Sequence, residues 1–477
     1  MGVSLASVAA GLALTNQAWQ IYPVLAAIAL GCLALSGLRY SSLIVLHMWV
    51  ASLVHLLKRA VFLIGDQSQE AYYSVLLLPT VILIPALVRA LPRVGPSWRL
   101  VTTRLMIAFV GWSAFVSLVS TSDLPLAARL AAIHQRVLPM AAFIVGLATP
   151  PGSREFRRVV SALVWSAVGS VAYGAWMFLA GPTALERAWA AGTASYSIQG
   201  EKTMSMVAGE SGLDEWRGFS YYADPLTWGL YLVAAMAGLL ILRSLGQGPR
   251  NKVSHSILVA LVIGLILCLT RTPWLGLLVM LAAYVLLRWR PAQNVWCLAA
   301  MIPAGFLLVV QVGSYFYSSI GPLMPSVVAL SPIARRYLTV GTIEARIGAW
   351  DAFRDLLSQH PFLGEGFAYN EHFAQALAGR SIGDPASHNF LVETIVCAGI
   401  PGLALLIWFL LALLRDGSNR LRQTHGSASM RWLVAFTLGY VMTGYLNGGS
   451  FMNHYFFLLT GSMVSASPKA PGDERRT

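Results

Sequence analysis

The stretch SHNFLVETIVCAGIPGLALLIWFLLALL, residues 387–414, decides the fold class of the chain. About 20 consecutive apolar residues suffice to cross the hydrocarbon core of a bilayer as a helix, and this stretch is longer than that. It begins with the polar pair His388-Asn389 and carries a carboxylate, Glu393, within its first turns. A carboxylate at that depth needs a partner, for which we expect an arginine. The stretch therefore predicts a membrane-spanning helix with a polar entrance.

The rest of the chain has the same character. Of its 477 residues, 57% are hydrophobic and only 11% are charged, which excludes a soluble domain of ordinary surface. The apolar N-terminal segment lacks a basic start, so we expect no cleaved signal peptide. A scan for apolar segments of membrane-spanning length predicts spans near 3–19, 21–38, 41–57, 72–90, 103–120, 128–148, 158–180, 224–243, 254–270, 273–288, 295–313, 387–414, 430–446 and 449–465. Several are tightly spaced, so the prediction is a single all-α polytopic membrane domain over residues 1–477 with about 12 (12–14) transmembrane helices.

The distribution of charge predicts the orientation of these spans. With the N-terminus in the cytoplasm, the cytoplasmic side holds 20 of the Lys and Arg residues and the opposite side holds 13. The positive-inside rule favours this arrangement. Two long connections, residues 181–223 and 314–386, then face outward, into the periplasm of a Gram-negative cell.

Composition and motifs exclude several other classes of protein. The net charge of +13 comes from residues spread between the spans, so membrane topology explains it better than nucleic-acid binding. All four cysteines lie in apolar segments, which gives no support to a disulfide framework or a zinc site. The chain also lacks the spacing of a phosphate-binding Walker loop, so ATP-driven transport by this chain is not expected.

Several arginines fall on the outward side, where the orientation rule does not place them. They are Arg217, Arg271, Arg335, Arg336, Arg346, Arg354 and Arg380. Outward arginines near apolar surface call for an anionic partner, and guanidinium groups suit a diphosphate because they bind it in bidentate fashion. Individually they could instead contact lipid phosphates or cap helices. Arg271 directly follows an apolar run and could favour the C-terminus of that helix.

Two loops place such arginines beside aromatic residues. Arg217 precedes Tyr221 and a predicted span start, and Tyr221 could simply belong to an interfacial aromatic belt. In residues 342–370, Arg346, Trp350 and Arg354 recur at four-residue spacing and share one face of a predicted amphipathic helix. That helix ends at a His-Pro pair followed by two glycines, and it could also be purely structural.

His388 completes the set of candidate residues. Asp384 and Ser387 are predicted N-caps of the span that begins there, so the imidazole would lie at the positive end of a helix. That position favours its neutral form, which can accept a proton. A histidine at a membrane interface could alternatively be only an amphipathic anchor.

Four of these segments, in order, resemble the O-antigen ligase and O-antigen polymerase superfamily. They are RGFSYYADPLTWGLYL, LTRTPWLGLL, ARIGAWDAFRDLLSQHPFLGEGFAYN and SHNFLVETIVCAGIPGL. The resemblance covers roughly residues 210–410. The sequence departs from the family pattern after Arg217, where ADP stands in place of an asparagine near PN.

The resemblance implies a GT-C type glycosyltransferase of the inner membrane with its active site facing the periplasm. Its donor would be a polysaccharide on undecaprenyl diphosphate, and in the ligase branch its acceptor is a sugar hydroxyl of lipid A-core. The two arginines and one histidine that members need carry over to Arg217, Arg346 and His388. No cofactor is implied.

A mechanism can be drafted from these residues. Diphosphate is a good leaving group, so one base and several cations suffice, in contrast to the two carboxylates of glycosidases. His388 would be the general base, with Arg217 and Arg346 on the diphosphate and direct displacement inverting the anomeric centre. Further substrate-binding candidates are Arg271, Arg354, Trp350, Asn389, Glu393 and Tyr221. A covalent route through Glu393 or Asp384, and a metal held near Asp214, Glu215 and Asp224, are open alternatives, although we expect no metal.

The same residues fit other functions. An O-antigen polymerase or a protein oligosaccharyltransferase would use the same lipid-diphosphate donor. A polysaccharide-lipid transporter would instead need cations and helix breaks in the middle of its spans, whereas these arginines lie at one face of the membrane.

Overall fold

A computed structural model describes the helical body of the protein. The described residues are 30–64, 78–119, 129–130, 133–181, 220–222, 225–268, 270–289, 295–301, 357–367, 389–446 and 453–465, with the single positions Thr183, Glu186 and Arg354. All of the regular structure in these ranges is helical. Most of the two long connections, residues 181–223 and 314–386, lies outside these ranges.

Eleven α-helices are labelled here in chain order. They are α1 (Tyr40–Ile64), α2 (Leu78–Ala90), α3 (Val101–Val119), α4 (Ala142–Leu147), α5 (Arg154–Ala180), α6 (Pro225–Ser244), α7 (Asn251–Leu267), α8 (Arg271–Trp289), α9 (Phe390–Gln423), α10 (Ala428–Leu446) and α11 (His454–Val464). Short 3-10 helices at Leu91–Arg93 and Gly95–Arg99 join α2 to α3.

Six of these helices are long and apolar enough to cross a membrane, namely α1, α3, α5, α6, α8 and α9. The helix α7 is apolar but slightly shorter. The all-helical, polytopic prediction is therefore confirmed, while the span count of 12 is not tested. Helix bounds lie within a few residues of the predicted spans in most cases, because long apolar segments mark where the helices lie.

The predicted span over 128–148 is helical over residues 133–147, but it is not a regular α-helix. The chain there forms a π-helix at Ile133–Val137, a 3-10 helix at Leu138–Ala141 and only then α4. Pro139 lies in the 3-10 segment, and a proline removes one helical N–H and clashes with the carbonyl four residues earlier. The irregular backbone that results is tolerated at membrane depth only where protein buries it.

Side-chain contacts show that α3 and α9 run antiparallel. Trp112, in the second half of α3, donates from Nε1 to the carbonyl of Ala398 near the start of α9, at 2.7 Å. Thr102, in the first turn of α3, donates to the carboxylate of Asp416 near the end of α9. We call the two ends of the bundle the Asn389 end and the Asp416 end, and the charge distribution predicts that the Asn389 end is periplasmic.

Other pairs extend this arrangement to the remaining helices. Phe390 and Tyr445 meet edge to face, so α10 finishes at the Asn389 end. Gly276 lies close to Thr443, which places the start of α8 at the same end. Gly229 lies against Pro273, so α6 starts there as well. The helix α6 lies at the centre of the bundle, because 78% of the residues in its apolar membrane-spanning stretch are buried. The corresponding share is 33% to 50% in the other five spans.

The helix α9 contains a break in its first third. Gly399 has φ 67° and ψ −175°, and Pro401 follows two residues later. Glycine alone adopts this backbone conformation readily, and the proline supplies no N–H to the carbonyl of Cys397. Several backbone groups at the break therefore need partners from elsewhere in the protein.

The loop at residues 360–366 supplies these partners. Three backbone hydrogen bonds join it to the break, from Glu365 N to Val396 O (2.8 Å), from Gly366 N to Cys397 O (2.9 Å) and from Ile400 N to Pro361 O (2.9 Å). Gly364 and Gly399 allow the close approach, since a Cβ on either would lie within 2.6 Å of the opposite backbone. The His-Pro-Phe-Leu-Gly-Glu-Gly segment is thus docked onto α9.

Candidate active site

The structure describes five of the nine candidate site residues. Arg271, Arg354, Asn389, Glu393 and Tyr221 are described, whereas Arg217, Arg346, Trp350 and His388 lie outside the described residues. Four of the five share the Asn389 end of the bundle, since Tyr221 precedes α6, Arg271 begins α8, and Asn389 and Glu393 begin α9. Arg354 is exposed and is described as a single position.

Asn389 is the N-cap of α9. Its side-chain oxygen accepts hydrogen bonds from the backbone N–H groups of Leu391 (2.9 Å) and Val392 (3.3 Å), and the residue is 6% exposed. The predicted caps Asp384 and Ser387 are therefore wrong, because the helix begins later, at Phe390. His388 consequently directly precedes the capping residue in the chain.

Glu393 forms an ion pair with Arg136. One carboxylate oxygen lies 3.2 Å from the guanidinium Nη1, and the Glu393 side chain is 7% exposed. The expected arginine partner is confirmed. The sequence does not single out Arg136, although a cation inside a predicted apolar span is a signal of its own. Because the π-helix carries Arg136, the irregular segment before α4 is tied to the first turn of α9.

Arg271 is the first residue of α8, and α7 already ends at Leu267. It lies four residues beyond the last residue of α7, so its suggested role at the C-terminus of that helix stays a prediction. Arg271 lines a groove of about 340 Å³ together with Ile266, Trp274, Leu275 and Leu278. Leu278 is 59% exposed, as expected of a side chain that faces lipid. The groove is apolar along its length and cationic at the Asn389 end.

Tyr221 lies in the interior of the protein. Its ring packs between Tyr173 and Tyr222, with centroid distances of 5.6 and 6.1 Å, and its hydroxyl donates to the carbonyl of Ser166 at 3.4 Å. This geometry supports a packing role for Tyr221. Its use in substrate binding stays a prediction.

A buried arginine lies next to residues 220–222, which form a turn before α6. Arg59 is fully buried near the end of α1, and its Nη1 lies 3.6 Å from a carboxylate oxygen of Glu186. The same guanidinium donates to the backbone carbonyls of Ser220 and Tyr222. In the sequence, Arg59 lies two residues beyond the predicted span 41–57. Nothing in the sequence indicates these partners, which lie more than a hundred residues away.

The docked loop carries a further carboxylate, Glu365. It is 6% exposed and lies 3.7 Å from Nε2 of His360. Burial raises the pKa of Glu365, and the neighbouring imidazole partly opposes that increase. Within the described ranges, no group of three or more His, Cys, Asp or Glu side chains could hold a metal ion.

The comparisons with known proteins concern the part of the chain that forms this end of the bundle. Residues 256–407 match the family model described as O-antigen ligase. A search of curated proteins finds no significant match. The matched range contains Arg271 and its groove, the docked loop, and the start of α9. The members of this family are glycosyltransferase-type enzymes. Over residues 256–407, the chain is therefore similar to the O-antigen ligase superfamily.

Proposed function

We propose that this protein is an O-antigen ligase of the bacterial inner membrane. It transfers a polysaccharide from undecaprenyl diphosphate to a sugar hydroxyl of lipid A-core on the periplasmic face, which completes lipopolysaccharide. The family match supports the reaction class. The choice of donor and acceptor is our proposal.

The groove beside Arg271 carries this proposal. A polyprenyl diphosphate combines a long apolar chain with a doubly charged head group. The groove offers apolar, lipid-facing walls from Leu275 and Leu278, with a guanidinium at the end that the charge pattern places at the periplasm. An arginine fork can bind two phosphate oxygens at once. The site therefore suits a ligand that enters sideways from the bilayer.

In the proposed reaction, the acceptor hydroxyl attacks the anomeric carbon of the first sugar on the donor. The bond between that carbon and the diphosphate oxygen breaks, and the configuration at the carbon inverts. Arg217 and Arg346 stabilise the negative charge that develops on the leaving diphosphate, with Arg271 and Arg354 as additional cations. No metal or nucleotide is needed for these steps, because the arginines supply the charge.

His388 accepts the proton of the attacking hydroxyl. It directly precedes Asn389, which the helix uses as its N-cap, and the positive end of a helix favours a neutral imidazole. The start of α9 is also held by the Arg136–Glu393 pair and by the docked loop. The residue after His388 in the chain therefore caps a fixed element, which supports a base that is positioned precisely.

The same donor chemistry serves two related functions, O-antigen polymerase and protein oligosaccharyltransferase, which differ from a ligase only in their acceptor. A polysaccharide-lipid transporter is less well supported, because the groove lies on the outer surface of the bundle rather than along an interior path.

Reconstitution tests the proposal. Purified protein, an undecaprenyl diphosphate-linked polysaccharide and lipid A-core are mixed in liposomes without metal or ATP, and we expect joined lipopolysaccharide on a gel. Replacing lipid A-core by a second donor or by a glycosylation-site peptide tests the polymerase and the oligosaccharyltransferase. Elongation or glycopeptide without joined lipopolysaccharide would replace our choice of acceptor.

Variants test the roles of the residues in the same assay. His388→Ala is expected to slow transfer by about 10²- to 10⁴-fold, the usual contribution of a general base. Arg271→Ala removes charge-assisted hydrogen bonds and is expected to raise the donor KM by about 10-fold or more. Arg422→Ala is the matched control, because Arg422 is an exposed arginine at the Asp416 end. Full activity of His388→Ala would refute its role as base.

A further inference from the structure

We infer that Arg59 and Glu186 are positioning residues for the transfer reaction, because they fix the backbone turn that follows Arg217. This inference rests on the proposed role of Arg217 in binding the diphosphate. The turn comprises residues 220–222 and leads directly into α6. Arg217 is only three residues before Ser220, so the position of the turn limits where Arg217 can reach.

The backbone of this turn is strained. Ser220 has φ 52°, and it is one of two non-glycine residues with positive φ in the described part of the chain. A non-glycine residue in this region costs free energy and persists only when the surroundings impose it. Here the Ser220 hydroxyl donates to the carbonyl of Ser170 at 2.6 Å, and its own carbonyl accepts from Arg59 at 2.9 Å. The fold therefore holds the turn from two sides.

Arg59 is an unusual residue to bury. Its side chain is 1% exposed, and so is that of Glu186. Removing two charges from water is expensive, and a pair of well-packed apolar residues often gives equal stability. A contribution to stability alone therefore explains this pair poorly. The arginine instead fixes the relative positions of its partners. One planar guanidinium reaches the carboxylate of Glu186 and the backbone carbonyls of Ser220 and Tyr222.

Glu186 is held in turn by α5 and by the segment that follows it. The hydroxyls of Tyr173 and Thr183 donate to its carboxylate, and the backbone N–H of Thr183 does so at 2.9 Å. The clamp, defined as Arg59 and Glu186, thereby joins the end of α1, the segment after α5 and the turn before α6. Three elements must be in place for the turn to take its conformation.

Hydrogen exchange tests the clamp directly. Purified wild type, Arg59→Gln, Arg59→Lys and Glu186→Gln are compared by mass spectrometry of peptides that cover residues 218–226. We expect the two glutamine variants to exchange in this peptide about tenfold faster than wild type, because the local opening becomes easier. The lysine variant keeps the charge but not the fork, so its exchange rate should be intermediate. Glu186→Gln keeps the shape of the side chain and provides a second reading if Arg59→Gln folds poorly.

The control is Arg93→Gln, which breaks the half-exposed Arg93–Glu155 pair at the Asp416 end. It should leave exchange in residues 218–226 unchanged. Unchanged exchange of residues 218–226 in both glutamine variants, Arg59→Gln and Glu186→Gln, would overturn the inference.

Kinetics of the reconstituted reaction test the link to Arg217. The clamp variants should lower kcat/KM for the lipid-diphosphate donor by about tenfold and leave the KM for lipid A-core unchanged, because only diphosphate binding depends on Arg217. In an Arg217→Ala background, Arg59→Gln should cause no further loss of affinity for undecaprenyl diphosphate. Faster exchange with unaltered donor kinetics would overturn the positioning role. Absence of transfer by the wild type would refute the proposed function, whereas the exchange measurement would still decide whether the clamp holds the turn.

Discussion

At the scale of single residues, the Arg136–Glu393 pair explains a carboxylate inside an apolar helix. Glu393 lies in the first turn of α9, where the helix dipole favours a negative charge, and Arg136 neutralises it at 3.2 Å. The pair joins the break before α4 to the helix that follows His388. The pair is therefore part of the frame of the site, and the use of Glu393 in substrate binding stays a prediction.

The first prediction concerns this pair. Glu393→Gln leaves Arg136 without its carboxylate, and breaking such a pair from one side costs about 3 kcal/mol. Arg136→Gln should cost more, since it leaves the more deeply buried Glu393 carboxylate, which is 7% exposed, without its cation. The double variant should recover part of the loss, with a coupling of about 2 kcal/mol. Unfolding of the purified protein measures these differences, and additive losses would show that the two groups do not interact.

The second prediction concerns the pH dependence caused by Glu365. Its pKa is raised in the folded protein because burial disfavours the charged form. The folded state therefore binds a proton more readily than the unfolded state, and stability falls as pH rises through the folded pKa. Glu365→Gln should raise Tm at pH 8, and the difference from wild type should shrink at pH 5. A larger gain at pH 5 than at pH 8 would contradict this assignment.

At the scale of elements, the docking of the 360–366 loop onto α9 is the feature that shapes the site. The loop satisfies backbone groups that Gly399 and Pro401 expose, so the broken helix and the loop depend on one another. The loop connects the segment that contains Arg346 and Arg354 to the part of the chain that leads to His388. Docking thus limits where both segments can lie.

The third prediction tests this dependence. Gly399→Ala places a Cβ about 2.1 Å from the carbonyl oxygen of Phe362 and forces an unfavourable φ, so we expect a loss of about 3 kcal/mol or more. The transfer rate should fall with it. Gly111→Ala is the matched control, because Gly111 lies inside α3 with open space around it and alanine favours helix. Equal stability of the two variants would show that the loop does not need this approach.

Elements differ in how well the sequence predicts them. The spans are predicted within a few residues because apolar length is a local property of the sequence. The sequence does not predict the irregular helix at residues 133–141, the cap at Asn389 or the exact start of α8 at Arg271. The exact end of a helix depends on which side chain meets its free backbone groups. The partners of Arg59 and Arg136 depend on contacts across the bundle, which no spacing in the sequence encodes.

At the scale of the whole molecule, the two ends of the helix bundle carry different residues, and this difference connects the fold to the proposed function. Every described candidate other than Arg354 lies at the Asn389 end, and the opposite end carries Arg415, Arg420 and Arg422. The positive-inside rule then predicts that the Asn389 end is periplasmic, where a lipid-linked polysaccharide would meet lipid A-core in the function proposed above. The function proposed above requires this orientation.

The fourth prediction tests the orientation with one cysteine at each end. Gln359 and Gln423 are both exposed glutamines, the first in the docked loop region and the second at the end of α9. In a background in which Cys32 and Cys297 are replaced by serine, the remaining natural cysteines, Cys268 and Cys397, are buried. With the outer membrane permeabilised, a membrane-impermeant maleimide should label Gln359→Cys and leave Gln423→Cys unlabelled. Disruption of the inner membrane should make both positions reactive, which shows that exposure is equal and that sidedness alone separates them. Labelling of Gln423→Cys alone while the inner membrane is intact would invert the topology and place the Arg271 groove at the cytoplasmic face, where the proposed ligase reaction cannot occur.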